Sequence, residues 1–351
     1  MADHSVQESG GDFTSLEDAV EDGDTSDGQT IEISGTWNAT TGEEDTQIAV
    51  ADALTITAVG DSKHDGRPWA SGETTWRHRN DSSGHSFTIT DTGSVIFDGL
   101  DIQNASGGTS DEIFRNNVSN TFLARNCVLG FDDRYDQQDV YYNEAVSDAT
   151  FESCQFYNVY RGVVDIVSYD TGSVININSC TGFDLGNSTG DTSRSGLVGA
   201  TQVGTPTLTV NIYNSIMHMD TGSPITLFAG TPGNVTLNVD RSATTSSIWV
   251  TAGYSLDVDD DNDESITVTD SIASSAYILV DTTTIPYDLK LQDHANNIAQ
   301  TNHSDGTGVG LTIPSTDIIG NTRATVYDMG SHEFTASGGG SGNPHYYYAQ
   351  Q

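Results

Sequence analysis

The chain has 351 residues, with 50 acidic side chains against 12 basic ones and a formal net charge of −38 at pH 7. A surface of that sign repels phosphate backbones and anionic lipid, which counts against nucleic-acid binding and against binding to a membrane surface. No run approaches the ~18 apolar residues of a membrane helix.

The length suits one large all-β domain or two ordinary ones. Only two lysines occur, Lys63 and Lys290. A carboxylate-rich, lysine-poor surface stays hydrated in brine, where salt screens its self-repulsion, so the composition points to a halophilic source. Aromatic and β-branched residues recur along nearly the whole chain, unlike an acidic disordered protein. The opening MADHSVQESGG has neither a basic start nor an apolar run, so no signal peptide is expected.

Residues 1–23 form an N-terminal segment. Within it DFTSLEDAVEDG (12–23) predicts an amphipathic helix: Phe13, Leu16 and Val20 share a face, and Thr14 or Ser15 stands at the cap position. The helix is expected to plug the first coil of a β-helix.

Residues 24–334 carry the repeat that predicts this β-helix. Ile31/Ile33, Leu54/Ile56 and Val95/Phe97 are short runs with alternate apolar residues. The same pattern precedes each cysteine, as Phe122/Ala124, Ala149/Phe151 and Ile175/Ile177, and continues as Val210/Ile212, Leu237/Val239 and Ile266/Val268. Cys127, Cys154 and Cys180 are 27 and 26 residues apart. Second strands are expected at Ile48/Val50, Phe87/Ile89, Val164/Ile166, Ile225/Leu227 and Ile248/Val250, with Asn, Gly, Asp and Ser clustered between strands as turns require. Two or three short strands per ~25 residues, with no helices between them, predict an all-β fold: a single-stranded right-handed parallel β-helix of about ten coils. At ~4.8 Å per coil the rod is ~48 Å long.

In that frame the three cysteines hold one inward position on successive coils, followed by Ser215, Ser242 and Ser271. A buried thiol stack is the leading expectation, ahead of a disulfide or a metal site. Parallel side-chain vectors and an odd count oppose a disulfide, and a buried free thiol behaves as a small hydrophobe.

The interval between Val59 and Leu100 is long, and an insertion is assigned to residues 60–86. Its stretch KHDGRPWASGETTWRHR (63–79) holds Trp69, Trp76, Arg77 and His78. Tryptophan and arginine enrichment marks interfaces. The readings are a subunit or partner interface, glycan binding by Trp69 or Trp76, or a loop packed on its own rod. Metal binding by His64 and His78 has no ligand spacing behind it.

Two stretches after consecutive cysteines form the second candidate. VLGFDDRYDQQD (128–139) and QFYNVYRG (155–162) place Arg134 and Arg161 seven residues after Cys127 and Cys154. Stacked coils would bring them together, with Asp133 and Tyr160 in the preceding slot and Asp132 and Tyr157 close by. Neighbouring guanidinium groups need anions, and Asp132, Asp133, Asp136 or Asp184 could supply them. Such a flank could grip a sugar, form a subunit contact, or be a solvated turn with incidental ion pairs. DVDDDNDES (257–265) is acidic but lacks the glycine and distal glutamate of an EF-hand, so a hydrated turn is expected.

YDLKLQDHANNIA (287–299) and TDIIGNTRATVYDMGSHEF (316–334) come next, and they are expected to close the far end, since an open β-helix exposes sheet edges. With DFTSLEDAV near the start, these segments resemble the opening and closing segments of pectate-lyase-like right-handed β-helix proteins. Asp317, Gly320, Arg323, Asp328, Gly330 and Glu333 stand at matching positions, while Met329 and Ser331-His332 depart from the pattern. The resemblance implies the fold and a structural ion pair of Arg323 with Asp317 or Asp328. It says little about activity, because the superfamily includes lyases, hydrolases, adhesins and viral spikes. The Gly-His-Gly and Arg-Ile-Lys segments of its polygalacturonases do not occur here.

Residues 335–351 form a glycine-rich linker ending in Tyr346, Tyr347 and Tyr348, an aromatic tail suited to docking. No cofactor, metal or catalytic residue is assigned. The leading expectation is a non-catalytic structural or adhesive appendage: a spike, fibre or turret component on the virion surface of a haloarchaeal virus. It is expected to be a homo-oligomer, with a trimer as the guess, to bind other virion proteins through the tail, and to touch cell-surface glycan. The runner-up is a carbohydrate-active enzyme of the pectate-lyase-like superfamily. A cellular surface protein of a halophilic archaeon comes third.

Overall fold

The computed structural model describes residues 3–37, 43–44, 46–67, 75–80, 84–105, 111–132, 138–145, 148–166, 172–186, 196–201, 207–219, 225–228, 234–240, 242–244, 265–269, 272–273, 279–281, 288–291, 314–323 and 330–331. The chain is a parallel β-solenoid, and its described residues are all-β with almost no helix.

Among the described residues, three parallel sheets run along the solenoid. The first has ten strands: His4–Val6, Thr30–Ile33, Thr55–Ala58, Ser94–Asp98, Thr121–Arg125, Asp148–Glu152, Ser173–Asn178, Thr207–Tyr213, Asn234–Asp240 and Ser265–Thr269. The second has nine: Glu43–Glu44, Arg77–Asn80, Asp101–Asn104, Val128–Phe131, Gln155–Val159, Thr181–Leu185, Ile216–Met219, Ala243–Thr244 and Ile272–Ala273. The third has seven: Ile48–Val50, Phe87–Ile89, Asp111–Asn116, Gln138–Asn143, Gly162–Ile166, Gly196–Thr201 and Ile225–Phe228. A separate antiparallel pair joins Leu279–Asp281 to Asp288–Leu291.

The register matches the apolar alternation. Phe122 pairs with Ala149 and Ala149 with Ile175, while Ala124 pairs with Phe151 and Phe151 with Ile177. Because side chains alternate across a strand, this register sends all of these inward together. The core carries an aromatic column, Phe97, Phe114, Phe122, Tyr141 and Phe151, with neighbouring ring centroids 4.6 to 6.2 Å apart.

All three cysteines are buried and free. They form a column at the corner between the first and second sheets. Cys154 Sγ lies 3.3 Å from the Ala124 carbonyl and 3.5 Å from that of Glu152. Cys180 Sγ repeats this with Phe151 and Asn178, and Ser215 Oγ with Ile177 and Tyr213. The hydroxyl adds something the thiol does not: Ser215 Oγ also accepts from the Cys180 N–H at 3.0 Å, and Ser242 Oγ from the Ser215 N–H at 3.1 Å. Ser271 lies outside the described residues.

The residues before Leu100, Cys127, Cys154, Cys180 and Ser215 have a positive φ: Gly99, Asn126, Ser153, Ser179 and Asn214, between 50° and 74°. This left-handed corner turns the chain from the first sheet into the second. Asn and Gly are the residues that adopt it most readily.

Two segments lie along this corner. His64, just after a short 3-10 turn at Gly60–Ser62, is buried with its Nε2 2.7 Å from the Asn126 carbonyl. Further along, residues 314–323 and 330–331 dock on later coils: the Gly330 N–H donates to the Asn214 carbonyl at 2.7 Å and the Ser331 N–H to Thr181 Oγ1 at 2.9 Å. The closing segment therefore lies on the side of the solenoid, against coils containing Ser153, Thr181 and Asn214, where an end cover was expected. Arg323 is buried and donates to the carbonyls of Gly330 at 2.9 Å and Ser331 at 3.1 Å. Asp317, expected as its ion-pair partner, accepts from the main-chain N–H groups of Ile319 and Asn321. Asp328 lies outside the described residues.

The single α-helix among the described residues is one turn, Leu16–Val20, shorter than the 12–23 stretch expected. Ser15 caps it by accepting from the Asp18 N–H at 3.1 Å, and Leu16, Ala19 and Val20 are buried.

Candidate functional site

The densest cluster of charge among the described residues is on the third sheet. Its register sets Glu112 beside Asp139, Arg115 beside Tyr142, and Tyr142 beside Asp165. Phe114, Tyr141, Val164 and Ile166 point into the core, so Arg115, Tyr142 and Asp165 point outward. Arg161 immediately precedes the strand Gly162–Ile166 and reaches over this face. Its guanidinium pairs with Asp165 and lies 3.4 Å from Asp139.

These three side chains are almost fully buried, at 6%, 2% and 0% exposure. Burial pulls the Arg161 pKa down, but the carboxylates of Asp139 and Asp165 outweigh it and the net shift is upward. A second group adjoins the first. The His85 ring pairs with Glu112, and Arg115 reaches Glu144 at 2.5 Å and His85 Nε2 at 3.0 Å. The Arg115 guanidinium also lies 5.4 Å from the centre of the Tyr142 ring. Burial, then Glu144 and Asp165, push the Tyr142 hydroxyl up.

The second sheet carries a smaller polar group. Tyr157 lies over Gly130: a Cβ at residue 130 would come within 2.5 Å of the Tyr157 ring. Burial pushes the Tyr157 hydroxyl well above its ordinary range, reinforced by Asp101 and Asp132. Arg77 donates to Gln103 Oε1 at 3.1 Å, and Arg79 pairs with Asp132 at 2.9 Å.

The structure divides the sequence candidates between these groups. Tyr157, Tyr160 and Arg161 stand on a single coil and are buried. Arg161 meets Asp139 and Asp165 where Asp132 or Asp133 was expected, and Asp132 instead meets Arg79. Arg134, Asp133 and Asp136 lie outside the described residues, as do Trp69, residues 257–264 and Tyr346, Tyr347 and Tyr348.

Arg77 and His78 were placed in the insertion at 60–86, but they belong to the strand Arg77–Asn80 of the second sheet, paired with Glu43–Glu44 and Asp101–Asn104. His78 points inward, its ring 4.8 Å from that of Phe87 and its Nε2 2.8 Å from the Thr46 carbonyl. Trp76 is buried and its main-chain N–H donates to the Ser62 carbonyl at 3.1 Å, so the excursion closes before Arg77.

No family model, curated protein or solved structure matches this chain. The chemistry open to the site therefore rests on its own residues.

Sequence reading missed Asp139, Asp165, Glu112, His85 and Tyr142. A signal was present: Glu112 and Asp139 are 27 residues apart, as are Arg115 and Tyr142, matching the cysteine spacing. Chemically, a guanidinium held between two carboxylates from adjacent coils is a cross-coil tie. The same carboxylates could exchange protons with a ligand only if that tie opened. Among the described residues, no group of three or more His, Cys, Asp or Glu side chains is arranged to hold a metal ion.

Proposed function

We propose that the protein is a non-catalytic structural or adhesive appendage, a right-handed parallel β-helix of about ten coils in the manner of the pectate-lyase-like superfamily. Its concrete form is a spike, fibre or turret component on the virion of a halophilic archaeal virus. The helix Leu16–Val20 covers its first coil, and the protein acts as a homo-oligomer, with a trimer as the guess. The tail at 335–351 docks to other virion proteins, and the outer faces of the second and third sheets meet host-surface glycan.

The observation that carries this reading is the engagement of Arg161. The side chain placed to grip a substrate is instead buried between Asp139 and Asp165. That suits a rod which must stay rigid. The acidic composition supports a high-salt setting, and the aromatic tail supports docking.

Immunogold labelling and mass spectrometry of purified virus particles test the reading. The protein is expected on the particle surface, and deletion of residues 335–351 is expected to abolish incorporation. Recovery of the protein only in the cytosolic fraction of uninfected cells would overturn it.

One observation favours the alternative, a carbohydrate-active enzyme: Glu112, Asp139 and Asp165 gather three buried carboxylates on one face. Carboxylate pairs at suitable separation are the machinery of glycoside hydrolysis. That reading requires polysaccharide depolymerisation in high salt that is lost in Asp139→Asn and in Asp165→Asn.

A further inference from the structure

The first sheet has an outer face whose side chains can be traced strand by strand. Its central column begins with Thr30 and Thr55, which are register partners. Ile96 pairs with Thr55, and Leu123 with Ile96. The column continues through Thr150, Asn176, Asn211 and Asn238. Along each strand these residues alternate with inward-pointing ones, so all of them point out, and all are partly exposed.

None of these eight side chains is charged. Over much of its surface a molecule of net charge −38 sets carboxylate against carboxylate when two copies approach. Along this column it does not. The charges are at the margins: Glu32, Asp98, Arg125 and Glu152 occupy the next column on one side, with Arg125 bridged to Asp98 at 3.0 Å, Asp148 stands on the other, and the Asp3 carboxylate adjoins Thr30 at the first coil. A centre without charge inside a charged rim is the anatomy of a protein–protein interface.

The polar part of the column is also ordered for contact. Asn238 Nδ2 donates to Asn211 Oδ1 and Asn211 Nδ2 to Asn176 Oδ1, both at 2.8 Å, and Asn176 Nδ2 donates to Thr150 Oγ1 at 3.1 Å. Each amide nitrogen carries two hydrogens, and this ladder uses one of them. The amides are thus held in one orientation before any partner arrives, which lowers the ordering cost of association.

We infer that this column is a self-association surface, on which a second copy of the chain lays the same face of its own first sheet. The inference rests on the homo-oligomer reading above and names its interface; a face laid on its own copy is a two-fold contact, so it replaces the guessed trimer with a two-fold pair. Counted together with its charged margins, at about three outward positions per strand and strands ~4.8 Å apart, the face gives ~500 Å² per copy and ~1,000 Å² for the pair, about a third of it the charge-free centre. That is the size at which a specific interface begins.

Sedimentation-velocity ultracentrifugation of the full chain tests it, at low salt and at ~1 M KCl, where the Debye length is ~3 Å. The wild type is expected to self-associate in the high salt. Leu123→Asp and Thr55→Asp, distant from each other on the column, are each expected to weaken association at least tenfold. Thr88→Asp, on the outer face of the third sheet, is expected to leave it unchanged. Circular dichroism spectra and thermal melts identify which variants are folded, and either folded column variant suffices.

A wild type that stays monomeric at both salts overturns the oligomer reading and this surface together. An oligomer that persists in a folded column variant overturns the surface alone. Equal loss in Thr88→Asp also overturns the surface, because any added charge would then suffice.

Discussion

The Nε2 of His64 lies 2.7 Å from the main-chain oxygen of Asn126, and its Nδ1 accepts from the Gly66 N–H at 3.0 Å. Those two contacts fix the neutral ring with its proton on Nε2. Burial lowers the pKa to about 4 from the ordinary 6.5. Between those values the unfolded chain binds a proton that the folded chain does not, so this group's contribution to stability falls as pH drops from 6.5 to 4. The shift corresponds to about 3 kcal/mol. Urea unfolding at neutral pH and near the lowered pKa checks this: in His64→Gln the stability lost between the two is expected to be smaller than in wild type by about that amount.

Removing Arg161 leaves Asp139 and Asp165 buried without their counter-charge. Arg161→Ala is expected to cost roughly 3–5 kcal/mol. Replacing the whole group with Asp139→Leu, Arg161→Met and Asp165→Leu is expected to recover most of that loss. Denaturant midpoints of the two variants decide the matter. A triple variant no better than Arg161→Ala would mean that the charges contribute more than mutual compensation.

The thiol column predicts chemical silence. Burial raises the pKa of Cys127 and Cys154 well above the ordinary thiol range. Native protein is therefore expected to resist iodoacetamide at mildly alkaline pH, with labelling that tracks unfolding. Cys154→Ser is expected to stay within about 1 kcal/mol of wild type, because Ser215 already makes the same carbonyl contacts two coils on. Cys154→Leu overpacks the corner and is expected to cost about 1–3 kcal/mol.

Gly330 has a φ of 94°, and a Cβ there would lie 2.5 Å from Thr181 Oγ1. Gly330→Ala is expected to destabilise the docked closing segment by about 1–3 kcal/mol. Hydrogen exchange reads this locally: the Ser331 amide and the amides around Ser153 and Thr181 are expected to lose protection together, while those near Phe87 do not.

The core of the solenoid was legible because its signal is local. Phe122/Ala124, Ala149/Phe151 and Ile175/Ile177 alternate within their own strands, and their spacing fixed the register that the sheets display. The strand Arg77–Asn80 was not legible, since Arg-His-Arg-Asn has no apolar period and reads as loop. Its inward residues, His78 and Asn80, are polar side chains that meet the Thr46 and His85 carbonyls. The choice of Asp139 and Asp165 by Arg161 depends on how the corner after Val159 aims one long side chain, which spacing alone does not set. The lateral docking of residues 314–323 and 330–331 joins groups 150 to 170 positions apart, and no pattern within either stretch announces the other.

That lateral docking also bears on how such a rod can change length. The closing segment grips coils from Ser153 to Ile216, so strands beyond Met219 lie past its contacts among the described residues. Turns could be duplicated or deleted there without altering a single residue of the clasp, provided the returning chain still spans the gap. Growth and variation are thereby steered to the turns past Met219, while the clasped coils keep a constant gauge.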